Sequence, residues 1–236
     1  MTGPAAAEPD GRARRRDGHT ETVPDGHADG ANARVFRLAS VLLPYPDREL
    51  FDGLAELEDA VRGVPRGART RLGRFLDWLR ATPPLEAARH YVETFDLERR
   101  RSLYLSYFRH GDTRRRGAAL IAYKAAYRAA GFSPPDDELP DYLPMLLEFA
   151  AVSPRGEALL RRRRADLEPL RRALAETGTP YADVVEAVCG RLPRLRRREA
   201  EAARAMADGP PFEEVGLEPF APPEYLDPYP RGEARP

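Results

Sequence analysis

Few side chains in this chain have the types that run reactions, and their spacing does not assemble a reaction centre. His90 and His110 are the only histidines beyond residues 1–31, and Cys189 is the only cysteine. His110 and Asp112 could offer two ligands to a metal, whereas zinc sites take three or four from the protein. Cys189 shares an apolar helical run with Val184, Val185 and Val188, which reads as core rather than nucleophile. The phosphate-cradling GxxxxGK loop, the GxGxxG fingerprint and the GxSxG elbow are absent. What remains is a dense mixture of acids, arginines and aromatics between Tyr91 and Ala151. Such groups bind; without nucleophile, base or metal cage they do not transform. The expectation is a protein that is not an enzyme, with no metal site and no permanently bound cofactor.

Two acids stand out. If Asp141 is an N-cap, Pro144 falls at N3, where its missing N–H breaks no intrahelical bond. Asp141 and Glu148 then lie on one face, two turns and about 10 Å apart. Pro140 precedes them, and Tyr142, Met145, Leu146 and Phe149 form an adjacent apolar stripe. Acids beside an apolar stripe suit a basic, amphipathic peptide helix. The plainer alternative is that Asp141 only caps, Glu148 pairs with a nearby arginine, and the stripe is core. Tyr91, Phe95, Tyr104, Tyr107, Phe108, Tyr123 and Tyr127 put seven aromatics within 37 residues. Most belong in a core, but tyrosines at a rim would add area with a polar tip. Arg114, Arg115 and Arg116 follow the helix-capping pair Asp112 and Thr113. Cations there oppose the helix dipole, which points to external partners, acids of the fold or an anionic ligand; the alternative for each arginine is a solvated position at a capped helix start.

The elements that would position these groups are helical. Val35, Phe36, Ala39, Leu42 and Leu43 keep helical spacing until Pro44 and Pro46. Asp47 can cap a second helix carrying Leu50, Phe51, Leu54 and Leu57. Further helices are predicted over 68–81, from Pro83 through Phe95, and from Asp112 or Thr113 to a C′ glycine at Gly131. Others begin near Asp141 and at Ser153–Pro154, Pro169 starts or kinks a segment that reaches Thr177, and two more cover 180–192 and 194–207. Ser102 to Arg109 reads as a short aromatic segment. No segment alternates with period two. The predicted fold is all-α, a single bundle of about nine or ten helices over residues 32–208.

Residues 1–31 and 209–236 read as tails, the first without periodicity, the second acidic and holding eight prolines. They carry −2 and −4, which leaves +6 on the body of a chain with zero net charge. Of 38 basic residues 37 are arginine. The runs Arg161–Arg164 and Arg196–Arg198 are expected to be solvated or paired with Glu157, Asp166, Glu168, Glu199 and Glu201. An Arg-rich, helical nucleic-acid-binding regulator is the alternative function; its signature would be steeply salt-dependent retention on DNA or RNA. A third reading is an anion- or nucleotide-binding module using Asp112, Arg114 and Arg115. The lone cysteine, the lack of a membrane-length apolar run and the lack of an h-region after Arg12–Arg16 place the protein in the cytoplasm.

Five stretches carry a resemblance. YVETFDLERRRSLYLSYFRHGDTRRRG (Tyr91–Gly117), YRAAGF (Tyr127–Phe132) and DDELPDYLPMLLEFAA (Asp136–Ala151) are its centre; FRLASVLLPYPD (Phe36–Asp47) and PPFEEVGLEPF (Pro210–Phe220) extend it. Together the chain resembles the NarJ family of nitrate reductase assembly chaperones, within the TorD/DmsD group of redox-enzyme maturation chaperones. The wider group's Pro-x-Asp-His-Leu run, followed by Glu and Phe, falls on Pro140, Asp141, Leu143, Glu148 and Phe149. Tyr142 stands at the histidine position and does not titrate near neutrality. The resemblance implies a monomeric, cytoplasmic, non-enzymatic helical protein that is not membrane-inserted and binds no nucleic acid. Its partner would be the N-terminal segment of the catalytic α subunit of nitrate reductase, held back from the membrane until the molybdenum bis-guanine-dinucleotide cofactor is inserted. It further implies dealings with molybdenum cofactor biosynthesis proteins and a transient cofactor contact. The expected peptide site is Tyr91, Phe95, Tyr104, Tyr107, Pro140, Asp141, Tyr142, Met145 and Glu148. Asp112, Arg114 and Arg115 are the expected anion or cofactor contact.

Overall fold

The computed structural model describes residues 30–207. The expected tails fall almost wholly outside that span. The described residues form twelve α-helices and no strand. In chain order these are α1 (Gly30–Leu42), α2 (Arg48–Asp52), α3 (Leu54–Arg62), α4 (Arg66–Ala81), α5 (Pro84–Tyr91) and α6 (Leu105–His110). Then come α7 (Arg114–Ala129), α8 (Leu143–Val152), α9 (Pro154–Arg162), α10 (Arg164–Thr177), α11 (Tyr181–Cys189) and α12 (Arg197–Ala207). The fold is all-α, as the periodicity predicts. The count exceeds nine or ten for two local reasons. Asp47 does cap, accepting from the Leu50 amide at 3.0 Å, but Gly53 then splits the second predicted helix into α2 and α3. The short aromatic segment winds into α6.

The centre of the bundle is α1, packed on α8 and α11, with α8 against α9 and α11 against α4 and α10. Val35, Phe36, Ala39 and Leu42 of α1, and Leu43 just after it, are wholly buried, so the predicted apolar stripe is the one that faces inward. Tyr181 of α11 anchors an aromatic cluster, with ring centroids 5.0 Å from Phe75, 5.8 Å from Tyr91 and 4.9 Å from Phe95. A π turn over Val92–Asp96 extends α5, and its extra residue turns Phe95 into this cluster.

The end of α7 follows local chemistry, whereas the start of α9 and the course of α10 do not. Gly131, at φ +81°, sits at C′ of α7. The amides of Gly131 and Phe132 reach back to the carbonyls of Arg128 and Tyr127 at 3.0 Å each, which is the paired closure of a Schellman end. Ser153 is the N-cap of α9 with Pro154 behind it, but its side chain makes no capping bond. Pro169 does not open a helix: α10 starts at Arg164 and runs through it.

Gly156 marks the closest approach of α9 to α8. A Cβ there would overlap the carbonyl of Phe149. Because that neighbour is backbone, relief requires the two helices to move apart. Gly156→Ala is expected to destabilise the fold by about 1–3 kcal/mol, the usual cost of overpacking. The check is the urea midpoint at constant m-value, and an unchanged midpoint would refute the tight crossing.

The arginine runs are largely paired within the fold. Arg161 meets Glu157 at 2.7 Å, Arg163 meets Asp166 at 3.6 Å and Arg164 meets Glu168 at 2.9 Å. Arg197 pairs with Glu201 at 2.9 Å.

Candidate functional site

The two densest motif segments meet at one short bridge. Tyr104 and Tyr142 form an isolated antiparallel pair. The Leu105 amide donates to the Asp141 carbonyl at 3.1 Å, and the Leu143 amide donates to the Leu103 carbonyl at 2.8 Å. The bridge delivers Asp141 to the start of α6. Its Oδ2 accepts from the Ser106 amide at 3.0 Å and from the Ser106 hydroxyl at 2.6 Å. Asp141 therefore caps a helix, as expected, but one 35 residues away rather than its own. Tyr142 occupies the N-cap of α8, and Pro144 sits in its first turn.

This arrangement corrects the predicted face. Asp141 is 0% exposed. It does not stand two turns below Glu148 on a shared helix surface. Arg116 of α7 approaches its Oδ2 at 3.9 Å and spreads its guanidinium over the rings of Tyr104 and Tyr107, at 5.8 and 5.5 Å. Tyr104 donates to Glu138 at 3.0 Å and packs on Tyr142 with centroids 5.3 Å apart. Burial, then the Glu138 carboxylate, raises the Tyr104 hydroxyl well above its ordinary range. Burial likewise raises Tyr142.

The remaining expected site residues divide by exposure. Tyr91, Phe95, Tyr107 and Pro140 are buried, the first two in the Tyr181 cluster. Tyr104, Tyr142 and Met145 are partly exposed, and Glu148 is exposed, with 56% of its side chain accessible. Asp112, Arg114 and Arg115 are exposed at the entry to α7. Thr113, not Asp112, is the N-cap there, and it makes no side-chain cap. Asp112 turns to Arg116 at 3.4 Å. The two neighbouring arginines suit phosphate oxygens; the acid beside them does not.

A groove opens where Met145 and Glu148 reach the surface. It encloses about 450 Å³ and is lined by Tyr127, Phe132, Pro134, Met145, Phe149 and Val152, with Glu148 at its edge. Tyr127 and Phe132 build its floor against Phe149, with centroids 4.5 and 5.1 Å away. The closing turn at Gly131 aims both rings there, because the residues it joins, Tyr127 and Phe132, are the two ends of that turn. Glu148 is paired with Arg37 of α1. An apolar trough with one acid at its rim can take apolar side chains and a cation from the same helix.

Sequence reasoning missed Ser106, Glu138, Arg37 and the loop lining at Phe132 and Pro134, and for Arg116 it expected an acid of the fold without identifying Asp141. A signal existed for two of them. Ser106 is the one small aliphatic hydroxyl inside LYLSYF, and a polar group among aromatics implies a buried acceptor. Arg37 interrupts the apolar start of α1 and needs a partner or solvent. The others depend on contacts between segments distant in sequence. Among the described residues, no three of His, Cys, Asp and Glu come close enough to hold a metal ion.

The fold and this surface define an all-helical protein with an apolar, acid-edged groove. The chain belongs to the nitrate reductase delta subunit family, whose model matches residues 62–186. It is 44% identical over 157 residues to the nitrate reductase-like protein NarX of Mycobacterium tuberculosis, covering 66% of this chain and 24% of that protein. It is 31% identical over 169 residues to the probable nitrate reductase molybdenum cofactor assembly chaperone NarJ of Bacillus subtilis, covering 70% of this chain and 92% of that one. To the nitrate reductase molybdenum cofactor assembly chaperone NarJ of Escherichia coli K12 it is 38% identical over 125 residues, 52% of this chain and 53% of that one. The chain thus spans about a quarter of NarX and nearly all of the Bacillus relative. No helix among the described residues is long and apolar enough to cross a membrane.

Proposed function

We propose that this protein is an assembly chaperone for nitrate reductase, acting on the apo catalytic α subunit while its molybdenum cofactor is inserted. The family and the chaperones of Bacillus subtilis and Escherichia coli support that role. The observation that carries the mechanism is the groove edged by Glu148. In this reading it receives the N-terminal segment of the α subunit as an amphipathic helix. Apolar side chains enter between Phe132, Met145 and Val152, and a basic residue meets Glu148 in competition with Arg37. While the segment is held it cannot take part in membrane attachment. Release after maturation requires moderate affinity, which a few contacts supply better than a large area. A transient cofactor contact, in this reading, falls to Arg114 and Arg115. The nucleic-acid alternative is weakened because the run around Arg161–Arg164 is engaged with Glu157, Asp166 and Glu168.

Calorimetric titration with a peptide from the α subunit N-terminus tests the reading. Saturable binding that is lost with a scrambled peptide is expected; its absence across salt and pH would overturn the reading. Glu148→Lys should weaken binding about tenfold, near 1.4 kcal/mol. Its thermal stability should stay within about 1 kcal/mol of the parent, because the exposed pair with Arg37 contributes little. Equal affinity in the folded variant would remove this groove from the site.

A further inference from the structure

A second groove lies outside the span that the family model matches. It encloses about 480 Å³ between the end of α1 and the α2–α3 corner, with Val41, Pro44, Tyr45, Leu50 and Leu57 as its apolar lining. Val41 is 40% exposed and Tyr45 52% exposed, so both are available to a ligand. Its polar lining is acidic throughout: Asp47, Glu49 and Glu56. Asp47 is engaged in capping α2, and the nearby Arg48 is drawn to Asp52 at 3.4 Å. Glu49 and Glu56 are exposed and meet no cation among the described residues.

The chain carries a matching cation cluster. Residues 11–16 read GRARRR, with Arg12, Arg14, Arg15 and Arg16 inside six positions and Asp10 and Asp17 closing the run. The first described residue is Gly30, at the start of the helix whose far end walls the groove. The 13 residues between Arg16 and Gly30 can span up to about 45 Å. The 13 residues of α1 measure about 20 Å. The tether is therefore long enough, and a covalent link raises the effective concentration of the cluster at the groove. Weak contacts then suffice. Guanidinium groups would pair with Glu49 and Glu56 and stack on the Tyr45 ring, while arginine stems cover Val41 and Leu57. The acidic segment 209–236 is excluded by charge, with six acids against two arginines.

We propose that the arginine cluster of residues 11–16 docks in this groove within the same chain.

The test uses the full chain with Ala13→Cys carrying a nitroxide. Labelling is selective because Cys189 is buried and burial pushes its thiol up to about 12. The expected result is selective broadening of the amide resonances of Val41, Leu50, Gly53 and Leu57. It should vanish in the exposed double variant Glu49→Lys, Glu56→Lys and fade at high salt. Uniform or absent broadening, or broadening that survives the charge reversal, would overturn the proposal. So would equal broadening in a mixture of spin-labelled and separately isotope-labelled chains, which would make a second copy the occupant.

Discussion

Asp141→Ala is expected to lower the unfolding free energy by about 3–5 kcal/mol, the usual loss when one member of a buried charged pair is removed. The carboxylate is inaccessible and holds the Ser106 amide and hydroxyl together with Arg116. Deleting it leaves the α6 N-terminus uncapped and a largely buried guanidinium beside an empty acceptor. Asp141→Asn keeps an acceptor for Ser106 and should lose roughly half as much. Ser106→Ala should lose about 1–2 kcal/mol, as for a buried hydrogen bond. The coupling of the two in a double-mutant cycle should then be non-zero. Chemical denaturation of the four proteins measures this. A fully stable Asp141→Ala that has lost peptide affinity would reverse the assignment and make Asp141 a binding residue. The two acids of the motif thus have separable expected effects: Asp141 on stability, Glu148 on affinity.

Glu168→Ala should cost about 3–5 kcal/mol for the same reason at another place. Glu168 is buried in α10 among Arg164, Arg171 and Arg172, at 2.9, 2.6 and 3.4 Å. Arg171 is also bound to Glu186 of α11, so the cage ties α10 to its neighbour. Burial alone would raise the Glu168 carboxyl, but hydrogen bonds from Arg171 and Arg164 outweigh it and hold the group at about 2. A carboxyl depressed in the folded state contributes stability in full above its unfolded value, near 4.5. That contribution fades as pH falls from there through about 2. Glu168→Gln should therefore be less stable at neutral pH and show a shallower loss of stability over that interval. An unaltered acid profile would show that Glu168 titrates normally.

Legibility differed between fold and site. Helix positions were readable wherever caps and apolar spacing lie within one segment, as for α1, for Asp47 and for Gly131. Pro169 misled because a proline six residues into a helix looks like a start signal when the arginine-rich turn before it has no apolar stripe. Tyr91 and Phe95 looked equally fit for a rim or a core. Only the position of Tyr181, some ninety residues on, puts them inside. Glu148 was legible as an acid beside an apolar stripe, and Met145 and Phe149 do border the groove with it.

The sequence by itself determined an all-α chain, the apolar faces of its helices, and the family to which Tyr91–Gly117 and Asp136–Ala151 are similar. These rest on local periodicity and on residue types, which are properties of short segments. The tertiary structure decided which acid is buried and which is offered to solvent. Asp141 finds its partner only because the Leu103–Leu105 and Asp141–Leu143 strips pair across 35 intervening residues at Leu105–Asp141. The same packing leaves Glu148 outside. A capping carboxylate satisfies orphan amides wherever they are brought to it, and which helix brings them is a property of the packed fold rather than of the residues on either side.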